Sequence, residues 1–302
     1  MPSSLVAFSD ELIKLVKDFR NDVVAVHARP RYPSSGVHWR PGLIVTADHA
    51  LRREEDIQVT IQSGESVSAA LVGRDTGTDL ALLRVEGLGS PPVREYKAES
   101  ARVGELALVL GRSPDSGPNA SLGIISAVSG PWRTWRGGQL DQYIRLDANF
   151  FPNSSGGAVV DGGGRLLGIA TAGLSRIAGL AIPVSTVNRV IDHLLQKGRV
   201  PRGYLGIGVQ PVVIPDGLRS SLALANTSGV MVVSIEANGP ASRAGVLLGD
   251  ILVGLGDAQI DGIEDLQSFL DEGATGTTAK ARFIRAGKLL ETDVAVGESP
   301  VK

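Results

Sequence analysis

Ten short β-rich runs between Val23 and Ile182 constrain this chain more than any other feature. They are Val23–Val26, Leu43–Thr46, Ile57–Ile61, Leu80–Val85, Leu106–Leu110, Gly123–Val128, Tyr143–Leu146, Gly156–Val160, Leu166–Thr171 and Gly179–Ile182, with Gly, Pro, Asp and Ser clusters between them. Strands this short and this closely punctuated predict an antiparallel sandwich or barrel. The 38 glycines among 302 residues exceed the usual share of ~7 % and suit many tight turns. With only 6 Phe, 3 Trp and 4 Tyr and no period-three repeat, the composition fits a turn-rich β protein and neither collagen nor disorder.

Helices flank this region. Ser9–Arg20 predicts a short amphipathic helix, with Ser9 as cap and Leu12, Ile13, Leu15, Val16 and Phe19 as its apolar stripe. A second helix follows Pro183. Ser185 is its expected cap, Val187, Val190, Ile191, Leu194 and Leu195 its buried face, and Gly198 its C′ residue. The polar stretch Lys197–Gly203 reads as a domain boundary. Beyond it, strands at Gly229–Ile235, Ile251–Leu255, Ala281–Ile284 and Thr292–Val296, with a helix at Ile263–Asp271, predict a small α+β domain. The expected division is 1–22 as an N-terminal helical segment, 23–199 as the β domain and 203–299 as the second domain.

Several chemistries fall away. No cysteine is present, which excludes disulfides, zinc–thiolate and iron–sulfur sites and a Cys nucleophile. Thirty Lys and Arg against 32 Asp and Glu leave a charge of −2, which argues against a nucleic-acid or anionic-membrane binder. Trp132-Arg133-Thr134-Trp135-Arg136 interleaves aromatic and basic residues, but one such loop in a near-neutral chain reads as an exposed loop near a cleft. Gly162-Gly163-Gly164 lacks the Lys-Ser/Thr of a phosphate loop and reads as a hairpin turn. Neither a metal site nor a cofactor is expected. No run approaches the ~18 apolar residues of a membrane span, and Leu5–Glu11 does not resemble a secretion leader. As written the chain is expected to be soluble and cytoplasmic, or periplasmic if a leader has been removed.

Three weak signals combine into a strong one. His49 closes the apolar run Leu43–Thr46, Asp79 heads Leu80–Leu83, and Ser155 sits in the tight segment Asn153-Ser154-Ser155-Gly156-Gly157. Alone, such an Asp caps a turn and such a Ser belongs to a hairpin. Together they run His…Asp…Ser, the chain order of chymotrypsin-like folds. A serine hydroxyl is a poor nucleophile until an imidazole takes its proton, and a carboxylate fixes the tautomer of that imidazole.

Around these residues the sequence resembles the HtrA family of serine proteases. The matching blocks are Gly42–Leu51, Thr78–Leu83, Arg102–Glu105, Gly123–Ala127, Leu146–Ala148, Ser155–Gly157 and Ala181–Pro183, then Arg202–Ile207 and Gly239–Leu252. The resemblance implies a mainly β fold: a chymotrypsin/trypsin-like pair of six-stranded β-barrels followed by a small α+β PDZ domain. It makes His49 the base, Asp79 its orienter and Ser155 the nucleophile, with the N–H groups of Asn153 and Ser155 as the oxyanion hole. The family has Gly-Asn-Ser-Gly-Gly where this chain has Asn153-Ser154-Ser155-Gly156-Gly157. Asn tolerates positive φ better than most residues, so the substitution implies a slowed enzyme or a hole poorly formed at rest.

Further expectations follow from the same resemblance. Asn149 should lie at the base of the primary specificity pocket, with Ala170, Thr171 and Ala172 as a small wall. Cleavage after small or medium aliphatic residues is expected. Tyr204, Leu205, Gly206 and Ile207 should hold a C-terminal carboxylate, with Leu266 and Leu270 lining the peptide groove. Unfolded proteins or peptides are the expected substrates, C-terminal peptides the PDZ partners, and a homotrimer the assembly, with Leu12, Leu15, Val16 and Phe19 as contacts. The rival reading is a silent scaffold that binds C-termini without cleaving them; a third is a holdase.

Overall fold

The computed structural model describes residues 4–88, 101–270 and 274–299 and divides into two compact units, 1–200 and 201–302. The first opens with helix α1 (Ser4–Phe19), followed by β1 (Val23–His27), β2 (Ser34–Arg40), β3 (Leu43–Ala47), β4 (Ile57–Thr60), β5 (Ser66–Asp75) and β6 (Leu80–Arg84). These six strands close into an antiparallel barrel in the order β1-β2-β3-β6-β5-β4. A second barrel comprises β7 (Leu106–Ser113), β8 (Gly117–Ser129), then, past the hairpin β9 (Trp132–Arg133) and β10 (Gln139–Leu140), β11 (Tyr143–Asp147), β12 (Ala158–Asp161), β13 (Leu166–Thr171) and β14 (Gly179–Pro183). Its order is β11-β14-β13-β12-β7-β8. Helix α2 (Val184–Lys197) ends the unit at Gly198, whose left-handed φ of 69° lets its N–H reach Leu194 O.

Period-two alternation explains why the strands read as apolar runs. On β3, Ile44 points into the first barrel with Val24, Ile57 and Leu83, while Val45 points outward to a second core with Leu80 and Leu82. That outer core collects Trp39, Leu108, Leu110 and Ile182 between the barrels, together with α2 residues Val187 and Ile191 and α1 residue Phe19. Each such side chain contributes about 1.5–3 kcal/mol by leaving water.

The unit from 201 onward contains β15 (Gly203–Tyr204), β16 (Ile207–Val213), α3 (Asp216–Ser221), β17 (Ser228–Ile235), α4 (Pro240–Arg243), β18 (Ile251–Leu255), β19 (Ala258–Gln259), α5 (Ile263–Phe269), β20 (Thr278–Arg285), β21 (Lys288–Ala295) and β22 (Gly297–Glu298). Its main sheet runs β16-β17-β18-β20-β21, which leaves β16 at an edge.

Several local expectations are corrected. Helix α1 begins at Ser4, so Ser9 is interior and Ile13 exposed, because no helix breaker separates Leu5–Phe8 from the rest. Leu15 and Phe19 are buried within their own protomer, so neither is open to a neighbour. Ser185 lies inside α2, which is entered from Pro183 with no side-chain cap, and Leu195 faces solvent. Strands β2 and β5 carry no uniform apolar run and escaped the sequence reading. Asp271, the expected end of the last helix, lies outside the described residues.

Candidate active site

Strand register brings the first two functional residues together. On β3 and β6, Ala47 pairs with Leu80, so the residues just beyond this rung stand side by side. His49 lies in a 3₁₀ turn, Asp48–Ala50, and Asp79 in the loop entering β6. Asp48 N–H donates to Asp79 O (3.0 Å) and His49 N–H to Asp79 Oδ1 (2.8 Å). His49 Nδ1 then lies 2.8 Å from Asp79 Oδ2 and 3.0 Å from Oδ1. Asp79 is wholly buried and takes a φ of 60°, a left-handed conformation that Asp tolerates better than bulky residues. Thr171 Oγ1 donates to its Oδ2.

Ser155 arrives from the second barrel. Gly156, at φ 85°, makes the sharp turn behind it; a Cβ there would meet Ser35 O at 2.1 Å, so only glycine fits. Ser35 N–H donates to Ser155 O (3.1 Å) and Ser35 Oγ to Asn153 O (2.6 Å), tying the turn to β2 of the first barrel. Ser155 Oγ accepts the Ala172 N–H at 3.3 Å, and among the described residues no hydrogen bond joins it to the His49 ring. Ser154 Oγ is engaged elsewhere, accepting Phe151 N–H at 2.9 Å.

The loop before Ser155 forms a turn, Ser154 N–H to Phe151 O (2.9 Å), with Pro152 and Asn153 at its centre. Asn153 is not among the residues with positive φ. This is the conformation of a type I turn; a glycine in that position favours type II, which differs by rotation of the middle peptide. The N–H of that peptide is Asn153's. Arg29 Nη2 holds the other end of the same peptide, donating to Pro152 O at 2.5 Å.

The residues expected around the primary pocket differ in exposure. Asn149 and Ala172 are exposed, Ala170 is wholly buried in the core of the second barrel, and the Thr171 hydroxyl is turned to Asp79. Thr171 is therefore a carboxylate partner, which residue-type reasoning about a small wall missed. Phe150 also went unremarked. Its ring packs against Gly179, where a Cβ would stand 1.9 Å from the ring.

Two segments match known families: residues 34–169 the trypsin-like peptidase domain and residues 203–296 the PDZ domain. The chain is 28% identical over 271 residues to the serine endoprotease DegS of Haemophilus influenzae, covering 87% of this chain and 76% of that protein. It is 32% identical over 286 residues to a probable periplasmic DegP-like serine endoprotease of Brucella suis, covering 91% of this chain and 54% of that protein. The chain thus spans about half the length of the DegP-like relatives. The crystal structure of a serine endoprotease from Yersinia pestis superposes with a TM-score of 0.78 at 28% identity, covering 99% of this chain and all of that one. This chain is an HtrA-family serine protease. A second structure, the HtrA-type protease AlgW with a decapeptide, superposes with a TM-score of 0.77 at 26% identity over 96% of this chain and 99% of that one.

In the PDZ unit of this HtrA-family chain, Leu205 O accepts Ala241 N–H (2.9 Å) and Gly206 O accepts Glu236 N–H (2.8 Å), while Gly206 turns at φ 72°. Among the described residues the Leu205 and Gly206 N–H groups donate to no backbone acceptor. Tyr204 OH donates to Glu236, which pushes the phenol pKa up. Leu205 and Leu266 belong to the buried core of the unit, and Ile263 and Leu270 are half-buried beside them. Among the described residues no helix is long and apolar enough to cross a membrane.

Proposed function

We propose that this chain cleaves unfolded or misfolded protein through Ser155, without ATP, and that its PDZ unit binds protein C-termini and regulates the cleavage. The observation that carries this reading is the His49–Asp79 pair at 2.8 Å, with Ser155 on a glycine turn tied to the same barrel. His49, its Nδ1–H held by Asp79, takes the Ser155 proton as Oγ attacks the scissile carbonyl. The imidazolium then gives that proton to the leaving amine, and the acyl-enzyme is released by water through the reverse steps. The N–H groups of Asn153 and Ser155 receive the oxyanion, a task worth about 10²–10³ in rate per donor. Thr171 fills one acceptor site of Asp79 and so keeps the carboxylate aimed at the imidazole. The resting Ser155–Ala172 contact and the type I turn at Asn153 describe a site that tightens on engagement, as apo catalytic hydrogen bonds commonly do.

The uncharged Asn149 and the Phe150 ring over Gly179 favour cleavage after small or medium aliphatic residues. A peptide-library digest dominated by Arg or Lys would overturn that preference. In the PDZ unit a peptide strand adds to the open edge of β16, with its carboxylate at the Leu205 and Gly206 N–H groups. The periplasmic name of the DegP-like relatives supports the same compartment here, and the family resemblance supports a homotrimer. The exposed apolar residues Leu5, Val6, Phe8 and Ile13 of α1 are then the contacts available to a neighbour.

A fluorophosphonate probe tests the reading. Labelling at Ser155, lost in Ser155→Ala and His49→Ala, is expected. The absence of labelling with C-terminal peptide binding intact would favour the silent scaffold, for which the turn at Asn153 is the supporting observation.

A further inference from the structure

The turn that carries His49 is held from two sides. One side is Asp79, through the N–H groups of Asp48 and His49. The other is Arg74, the penultimate residue of β5. Its Nε donates to Asp48 Oδ1, its Nη2 to Asp48 O (3.3 Å) and Leu51 O (3.5 Å), and its Nη1 to Glu54 Oε1 (3.0 Å). A planar guanidinium reading two backbone carbonyls and a carboxylate of one turn restrains it in rotation as well as position, which an ammonium cannot do. The next residue along β5 braces the other loop: Asp75 Oδ2 accepts Thr78 N–H (3.0 Å) and Thr78 Oγ1–H (2.6 Å), just before Asp79. Two consecutive residues at the end of one strand thus set the His49 turn and the Asp79 turn against each other. The register Arg74↔Ala81 and Asp75↔Leu80 places both beside β6.

Arg74 and Asp48 are also an ion pair at the foot of this turn. Asp48 is 2% exposed and adjoins His49 in the chain. Burial pushes its carboxyl pKa up, and Arg74 opposes that only in part. Burial works against the Arg74 charge too, yet its bonds to Asp48 and Glu54 hold the guanidinium pKa above its ordinary value. The charged groups facing Asp48 are Arg74 and Asp75 from β5 and Asp79 from the loop before β6, with Glu54 beyond Arg74. Removing Arg74 would leave the buried Asp48 carboxyl and the Asp48 and Leu51 carbonyls without their shared donor, so the turn that carries His49 would lose its fixed position.

We propose that Arg74, acting through the Asp48 carboxylate and the Asp48 and Leu51 carbonyls, is a positioning residue that holds the His49 turn in register with Asp79. This rests on His49 being the base of the reaction proposed above. The test uses the full chain as Arg74→Met, Arg74→Lys, Asp48→Asn and the double variant Arg74→Met/Asp48→Asn. The rate of fluorophosphonate labelling at Ser155 is measured, kcat and KM are separated on a peptide substrate, and the His49–Asp79 hydrogen bond is read from the downfield Nδ1–H resonance by NMR. For Arg74→Met we expect labelling to slow about 10- to 100-fold, with kcat falling, KM little changed and the Nδ1–H resonance broadened or lost. In the double variant the loss should be smaller than the sum of the single losses, because the two residues act as a unit. Arg74→Lys should give an intermediate rate, since an ammonium cannot hold both carbonyls and the carboxylate, and Asp48→Asn should slow labelling less than Arg74→Met.

A wild-type labelling rate with an unmoved Nδ1–H resonance in Arg74→Met, or single losses that simply add in the double variant, would overturn the proposal. If Arg74→Met does not fold, Arg74→Lys and Asp48→Asn decide it: wild-type rates and resonances in both overturn it. Wild-type protein that takes no label would overturn the functional reading instead, and the Nδ1–H resonance alone then decides the role of Arg74.

Discussion

The two units are both antiparallel β structures, yet they place polar groups very differently. Among the described residues, eighteen buried polar or charged residues lie in the unit 1–200 and two, Asn226 and Asp250, in the unit 201–302. Seven of those in the first unit cluster at the candidate site: Ser34, Ser35 and Thr46 beside the Ser155 turn, and Asp48, Asp75, Asp79 and Thr171 around His49. In the second, Asn226 donates to Val253 O and Ile260 O, and Asp250 takes Leu247 N–H and the Arg285 fork, so each ties loops to the sheet. Proton transfer needs side chains fixed to within a fraction of an ångström, which demands a buried hydrogen-bonded network. A peptide that adds to a sheet edge needs only backbone and an apolar face.

The broadest way to break the comparison is in the cores. Leu82 and Leu255 are both wholly buried, and Leu→Ala at either should cost about 2–5 kcal/mol. All three tryptophans, Trp39, Trp132 and Trp135, lie before residue 200. Tryptophan-fluorescence melting should therefore report Leu82→Ala and miss Leu255→Ala, which calorimetry should detect. Shifts of similar size in the fluorescence of both variants would show that the units do not unfold independently.

Next comes Gly173→Ala. A Cβ there would stand 2.5 Å from His49 Nδ1 and 2.7 Å from Asp79 Oδ2, so the pair must move. Cleavage should fall at least about 10²-fold, while peptide affinity of the PDZ unit, read by fluorescence anisotropy, stays unchanged. Acidification is a milder probe. Burial holds the pKa values of both His27 and His38 below the ordinary 6.5, with Arg53 adding to the effect at His27. Below pH 6.5 the unfolded chain binds protons that the folded chain refuses, so stability is present above that pH and falls as pH drops from 6.5 toward the folded values. The tryptophan-reported melting temperature should drop by a few degrees between pH 7.5 and 5.5. The second unit has no histidine and should lack this component. The smallest effect is expected at Lys280, whose pairs with Glu291 (3.6 Å) and Asp293 (3.9 Å) are exposed. Lys280→Ala should change stability by no more than about 0.5 kcal/mol in denaturant titration.

Legibility in the sequence followed the same division. Strands with one uniformly apolar face, such as Leu43–Ala47 and Leu80–Arg84, announced themselves. Strand β2, Ser34–Arg40, is almost entirely buried but carries Ser34, Ser35, Gly36 and His38, because it lines the polar seam between the barrels. Strand β5 is partly exposed and charged at its end, and no apolar alternation marked it. The bond of Thr171 to Asp79 was hidden, because residue size was visible in the sequence and hydrogen-bond direction was not. Arg74 gave no signal at all; its partners lie 20 to 26 residues away.

What the sequence alone determined is the inventory: two units, no thiol chemistry, and one His, one Asp and one Ser in the chain order of chymotrypsin-like folds. Those are properties of residue type and spacing, and chemistry restricts them to few choices. The tertiary structure decided how the inventory is aimed. It set the φ of Asn153, the turn of Thr171 toward Asp79, the capture of Pro152 O by Arg29, and the grip of Arg74 on the His49 turn. Each depends on strand register and on packing between segments distant in the chain, where a side chain's direction is settled by neighbours that no local pattern encodes.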